Sequence, residues 1–215
     1  MAVDLSDIPT ANKPSPTRAA LSFDDLPKKQ KVSTKGELAF DDIDTPGVVV
    51  AQYKDVRSEP VEETTARVKS FRPLAVKYGD ETGEDPALLL AVVHRESKGA
   101  AGAVSSAGAR GYAQFMDGTA KELGVTDPDD PDQAVRGMAV YLSRLRKQAL
   151  KLGVPETEAD QAALASYNYG PGNFRDTWLK ARKAKKPWQR MVPKETREYM
   201  AAVLALRKGR YSNED

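Results

Sequence analysis

One stretch limits the folds open to this chain more than any other. Asp85-Pro86 supplies a capping carboxylate and a first-turn proline, and Ala87-Leu88-Leu89-Leu90-Ala91-Val92-Val93 follows without a polar residue. Such a segment reads as a helix that begins at Asp85. A helix apolar on nearly every face cannot lie on a surface, so the rest of the chain has to wrap it. The run ends in His94-Arg95-Glu96-Ser97. Leu89, Val92 and Val93 share a face with Glu96 at helical spacing, which predicts a carboxyl group in apolar surroundings.

The wrapping material also reads as helix. A helix over residues 62–78 is expected, kinked or split by Pro73, and residues 79–84 read as a polar turn. Residues 99–113 are rich in Gly, Ala and Ser and read as a long irregular connection. A short helix follows over residues 119–123. Val135, Met138, Leu142, Leu145, Ala149 and Leu152 then give the cleanest period in the chain, with Arg136, Arg144, Lys147 and Lys151 on other faces. Residues 160–169 form the next helix, stopped by Gly170-Pro171-Gly172. Residues 173–182 form another. Pro193 starts a last one, with Tyr199, Val203 and Leu206 on one stripe. Only residues 48–50 read as a strand. The fold class is all-α or nearly all-α, with the domain spanning residues 61–215.

Residues 1–60 have a different character. Pro9, Pro14, Pro16, Pro27, Pro46 and Pro60 punctuate them, and no helical or strand period is sustained. Phe23-Asp24-Asp25-Leu26-Pro27 returns as Phe40-Asp41-Asp42-Ile43-Asp44, with a weaker copy at Leu5-Ser6-Asp7-Ile8-Pro9. The expectation is a disordered tail carrying acidic-aromatic anchors that dock on a partner. Residues 1–66 hold 8 Lys+Arg and 12 Asp+Glu, net −4, whereas residues 67–215 hold 25 and 19, net +6. A mildly basic domain suits an anionic partner.

Several function classes drop out. With no cysteine there is neither a disulfide framework nor a thiolate metal site. No stretch approaches the roughly 18 apolar residues of a membrane span. The first twenty residues lack the basic and apolar regions of a secretory signal, so the expectation is a chain that either stays in the compartment where it is made or leaves it by another route. His94 is the only histidine and has no co-ligands at zinc spacing, so a packing or surface role is expected. Asp127-Pro128-Asp129-Asp130-Pro131-Asp132 lacks the spacing of a calcium loop and suits a turn and helix cap. Lys180, Arg182, Lys183, Lys185, Lys186 and Arg190 cluster around Trp188, a pattern that could grip an anionic polymer but by default is a solvated loop. Tyr141 and Trp178 read as core. The reading requires no metal and no cofactor, and nucleic acid is not the expected partner.

The chemistry centres on Glu96. A carboxyl group in apolar surroundings holds its proton toward neutral pH, which a general acid on a glycosidic oxygen requires. The small residues after it let a backbone approach a ligand closely. Gln114 offers a donor and an acceptor, Tyr167 and Asn168 set a phenol beside an amide at a helix end, and Glu195 and Tyr199 stand at a helix start.

Taken in order, four segments resemble the soluble lytic transglycosylase family, whose fold is similar to goose-type lysozyme. They are Asp85-Pro86 through Glu96-Ser97; Gly108-Ala109-Arg110-Gly111-Tyr112-Ala113-Gln114-Phe115-Met116; Ser166-Tyr167-Asn168-Tyr169-Gly170; and Glu195-Thr196-Arg197-Glu198-Tyr199. The resemblance spans residues 71–206. It implies an enzyme that cuts the MurNAc–GlcNAc β-1,4 bond of peptidoglycan strands, with Glu96 as the single catalytic acid/base. It also implies substrate contact for Ser105, Gln114, Met116, Tyr167 and Asn168, the Tyr167 hydroxyl lying near the catalytic carboxyl, and a site floor shaped by Glu195 and Tyr199. Ala113 stands where the family usually has Met, and Ser166 where it commonly has Ala. Both changes are expected to alter the groove.

Only one carboxylate falls in the expected place, whereas most glycosidases use two. The muramyl 6-hydroxyl of the substrate can replace the second, giving a 1,6-anhydro product. A muramidase hydrolase using Glu195 or an Asp is the alternative, and so is a structural assembly protein that binds glycan through a lysozyme-like fold. With no signal sequence read at its start, the enzyme is expected to act at the cell wall from a phage virion or a secretion complex, its tail motifs docking it there.

Overall fold

The computed structural model describes residues 60–212. The expected tail motifs at Phe23 and Phe40 and the expected strand at residues 48–50 lie outside the described residues. Eight α-helices follow in order among those that are described: α1 Val61–Lys69, α2 Arg72–Thr82, α3 Pro86–Ser97, α4 Asp117–Leu123, α5 Pro131–Lys151, α6 Ala159–Tyr169, α7 Pro171–Ala184 and α8 Lys194–Gly209. Short 3-10 turns stand at Glu156–Glu158 and Trp188–Arg190. No named strand occurs among the described residues; only isolated bridges join Val104 to Arg110 and Arg110 to Phe115. The helical fold class is as the sequence predicts.

The apolar run is the axis of the fold. Asp85 caps α3 by accepting from the Ala87 N–H at 2.9 Å, and Pro86 occupies the first turn, where its missing donor costs nothing. Nine of the twelve residues of α3 are buried. Helices α1, α2, α5 and α8 pack around it, and α6 lies between α5, α7 and α8. Burial of that many Leu and Val side chains stabilises the fold by about 1.5–3 kcal/mol for each large side chain. At its far end Lys98 turns left-handed, and its N–H closes on the His94 carbonyl, so Glu96 sits in the last turn.

The long amphipathic helix is α5, with Val135, Met138, Leu142, Leu145 and Ala149 all buried. Asp130 caps it through the N–H groups of Asp132 and Gln133. Asp129 accepts from Gly102 N–H. The Asp-Pro run is thereby a turn and a cap, and among the described residues no group of three or more acidic or histidine side chains is placed to hold a metal. No described helix is long and apolar enough to cross a membrane.

Two expectations need correction. The polar turn at residues 79–84 is mostly helix, because α2 continues to Thr82 and ends on the left-handed Gly83. Gly79 is small for packing rather than for turning: a Cβ there would lie 2.7 Å from the Glu84 carbonyl oxygen and 3.1 Å from Pro86 Cγ. The helix expected over residues 62–78 is split, as Pro73 predicts, into α1 and α2, with Pro73 in the opening turn of the second. Gly170-Pro171-Gly172 stops α6 and also starts α7, with Pro171 as its first residue. Tyr141 and Trp178 are buried, as their pattern predicts.

A charge network ties the N-terminal end of α3 to its neighbours. Arg207 of α8 donates to Asp85 at 2.6 Å and to Asp160 of α6 at 2.8 Å, and Arg146 of α5 donates to Asp160 and Glu156. Glu84 is buried beside this network, 6% exposed. Burial pushes its carboxyl up to about 7 from 4.5, against the charges of Arg146, Lys147 and Arg207 and with that of Asp160. His94, bonded through Nδ1 to the Tyr211 hydroxyl at 2.6 Å, is pushed down to about 4 by burial and by Arg210, Lys98, Arg95 and Arg67.

The two groups act on stability in opposite directions. Between 4.5 and about 7 the folded chain keeps a proton on Glu84 that the unfolded chain has lost, so this group's contribution falls as pH rises. Between 6.5 and about 4 the unfolded chain binds a proton that folded His94 refuses, so the stability present above 6.5 is lost as pH falls. Glu84→Gln should raise the melting temperature at about pH 8 and leave it unchanged near pH 4. Melting curves across that range check this, and equal shifts at both ends would refute the assignment.

Candidate active site

The site is assembled where the last turn of α3 meets α6, α8 and the connection over residues 99–116. Glu96 is 9% exposed. Of the acidic residues described, only it and Glu84 are buried, and Glu84 belongs to the charge network at the other end of α3. The Tyr199 hydroxyl donates to Glu96 Oε1 at 2.6 Å across 103 residues of sequence. Tyr199 sits one turn inside α8 and is 3% exposed. Arg95 places its guanidinium 6.0 Å from the centroid of the Tyr199 ring.

Tyr167, in the last turn of α6, takes a related position. Its hydroxyl donates to the Ala113 carbonyl at 2.6 Å. Its ring packs with Phe115 and Tyr141 at centroid distances of 6.0 and 5.4 Å. Burial first, and then the charge of Glu96, raises both Tyr167 and Tyr199 well above the ordinary phenol range. Each phenol is therefore held as a donor. The phenol bonded at 2.6 Å to the carboxyl is that of Tyr199; Tyr167 lies close enough for the charge of Glu96 to act on it, and its hydroxyl donates to the connection.

The connection owes its shape to short-range bonds that small residues permit. Ser105 and Ala109 close a tight turn: Ser105 N–H donates to the Ala109 carbonyl, and the Ser105 hydroxyl accepts from Ala109 N–H, both at 2.9 Å. Arg110 and Phe115 exchange two backbone bonds. Between them, Gly111 has φ 68° and runs so close to Pro128 that a Cβ would overlap its carbonyl. Gln114 adopts φ 48°. It is buried, and its Nε2 donates to the Ala103 and Gly111 carbonyls at 2.8 and 2.9 Å. Its Oε1 is buried with no donor among the described residues.

The residues singled out in the sequence divide accordingly. Glu96, Tyr199 and Tyr167 converge, and Gln114 and Ser105 shape the connection beside them. Met116, at the start of α4, and Asn168, beside Tyr167, are half-buried, while Glu195 is exposed in the first turn of α8. Ala113 and Ser166 are the two departures from the family pattern. Both are buried, and the Ser166 hydroxyl bonds back to the Ala162 carbonyl of its own helix at 2.8 Å. Trp188 is buried with its Nε1 donating to Glu158, so it offers the surrounding cations no exposed ring. Two contributions escaped the sequence: the Ala113 carbonyl, a backbone group without a residue signature, and Arg95, whose link to Tyr199 depends on how α3 and α8 cross.

Comparison with known proteins supplies relatives for this arrangement. Residues 73–191 match the model of the transglycosylase SLT domain. The membrane-bound lytic murein transglycosylase F of Yersinia enterocolitica is 42% identical over 107 residues, 50% of this chain and 21% of the relative. The protein of the same name from Desulfosudis oleivorans is 39% identical over 110 residues, 51% of this chain and 24% of the relative. The similarity thus covers about a fifth to a quarter of the length of these curated relatives.

Two glycines of the connection separate packing from backbone strain. Gly111→Ala should cost about 2–4 kcal/mol, because a left-handed backbone and a clash add. Gly108→Ala, with φ 86° but open space around it, should cost only about 1 kcal/mol. Chemical denaturation measures both, and equal losses would count against the close approach to Pro128.

Proposed function

The chain belongs to the transglycosylase SLT family, and on that premise we propose that it is a peptidoglycan lytic transglycosylase acting through Glu96. The observation that carries this reading is a buried carboxyl at the end of a buried helix, oriented by a phenol at 2.6 Å. In the proposed reaction Glu96 gives its proton to the glycosidic oxygen between MurNAc and GlcNAc, and the bond from that oxygen to C1 breaks. The 6-hydroxyl of the same muramyl ring attacks C1, and Glu96 takes the hydroxyl proton back. No water enters, and the product carries a 1,6-anhydro ring. An intramolecular nucleophile needs no second enzyme carboxylate to activate it, because it is already held near the reacting carbon. Exposure of Glu195 favours this over a hydrolase with a paired carboxylate.

Tyr199 positions the Glu96 carboxyl, and Tyr167 holds the connection against it through Ala113. Ser105 and Gln114 form the wall of the groove, and Met116, Asn168 and Glu195 face the sugars. We further propose that the Phe23 and Phe40 motifs dock the domain on a phage virion or secretion complex that brings it to the wall. Their recurring order of residue types supports this. Changing both phenylalanines to alanine should remove the full chain from the sedimented assembly, and unchanged sedimentation would refute it.

Digestion of purified peptidoglycan tests the chemistry. The chain should release muropeptides with anhydro ends, and Glu96→Gln should release none. Products heavier by one water would make it a hydrolase, and an intact sacculus would leave a glycan-binding assembly protein. Tyr199→Phe should lower kcat about tenfold to a hundredfold, the value of one hydrogen bond to a charged group, with KM nearly unchanged.

A further inference from the structure

Half-buried arginines in this fold are nearly all paired. Nine of the described arginines are half-buried, and seven of them donate to a carboxylate, a hydroxyl or a backbone carbonyl. Arg207 holds two carboxylates, Arg144 holds Glu122, and Arg67 holds the Lys98 carbonyl. Arg72 and Arg95 have no such partner, and each keeps a guanidinium nitrogen shielded from solvent with nothing to accept its hydrogen. A guanidinium has five donors and keeps its charge at any pH a protein survives. Leaving it half-buried without an acceptor is costly, and a charge kept in that state beside a reactive group points to a ligand.

Position separates the two. Arg72 opens α2. Arg95 adjoins Glu96 in sequence and lies over the ring of Tyr199, whose hydroxyl holds the Glu96 carboxyl. The charge of Arg95 reaches that hydroxyl, favouring its ionised form against the stronger opposing effects of burial and of Glu96. Among the described residues no carboxylate neutralises it.

We propose that Arg95 binds a carboxylate of the substrate and so makes the enzyme selective for anionic glycan strands. This rests on the peptidoglycan reading above. The sugars of that polymer are uncharged. Its negative charge comes from the lactyl ether at C3 of the muramyl ring: through the peptide stem attached there, or through the lactyl carboxylate itself once the stem is removed. C3 belongs to the same ring whose C1 is attacked, which places either carboxylate within reach of a group next to Glu96. A planar fork of donors is the side chain that binds a carboxylate at two points. Arg95 is thus a specificity residue, separate from the proton transfer.

The test compares the full chain with Arg95→Gln and Arg95→Lys on three substrates: strands with intact stems, strands stripped by an amidase so that only the lactyl carboxylate remains, and stem-bearing strands whose carboxylates have been converted to neutral amides. On intact strands Arg95→Gln should raise KM about tenfold with kcat nearly unchanged, as loss of one charge-assisted contact predicts. Arg95→Lys should recover part of this. On the neutral amides the unaltered chain should fall to the level of Arg95→Gln, and that variant should not distinguish the two. If the stripped strands behave like intact ones, Arg95 takes the lactyl carboxylate as well as that of the stem; if they behave like the amides, it takes the stem's alone. Either result upholds the proposal. It is overturned if Arg95→Gln loses as much on the neutral substrate as on the native one, if it lowers kcat with KM unmoved, or if the unaltered chain treats native and neutral strands alike. Failure of the unaltered chain to cut any of the three removes the peptidoglycan reading itself, and this proposal with it.

Discussion

Everything in this fold follows from the need to surround α3. A helix without a polar face has to be covered from all sides, and α1, α2, α5 and α8 provide the cover. A carboxyl group in the last turn of such a helix is carried inward with it. Glu96 is buried because of what precedes it, since the residues after it are mostly small Gly, Ala and Ser. Its environment is therefore a by-product of core formation, and the reactive group needs only one added partner to be oriented.

Helix α8 supplies that partner and another. Tyr199 reaches Glu96 at the C-terminal end of α3, and Arg207 reaches Asp85 at the N-terminal end. The two side chains are eight residues apart on α8, about 12 Å along its axis. One antiparallel helix thereby fixes the axial position of α3 at both ends, by a phenol at one and a salt bridge at the other. The charged end is also linked to α6 through Asp160, whose opposite end carries Tyr167. The register of three helices is set by a handful of polar contacts around an apolar contact surface that by itself would tolerate sliding.

Much of this was legible in the chain. The cap at Asp85, the period of α5 and the stop at Gly170 are local, and local signals place them within a few residues. Where the reading failed, one residue served two purposes or an unusual one. Gly79 reads as a turn because glycine often turns, yet here it lies within a helix and makes room for the Glu84 carbonyl. Gly170-Pro171 reads as a terminator and is also an initiator. The site was legible only in part, for a different reason. Periodicity identifies Glu96 as buried, but nothing local couples it to Tyr199, and only the ordered motifs bring the two ends of the domain together. The Ser105 hydroxyl reads as a ligand contact, and its acceptor role in closing a turn has no signal in the sequence.

The span between Glu96 and Tyr199 has a consequence for how the molecule is made. A ribosome delivers α3 well before α8, and folding proceeds from the N-terminal side as the chain emerges. A chain extended only as far as the 3-10 turn at Trp188–Arg190 already contains the carboxyl but not the phenol that orients it, nor the helix that closes α3 from that side. The Glu96–Tyr199 pair thus comes into being with the last helix, and nascent or prematurely ended chains carry the carboxyl without the phenol that orients it.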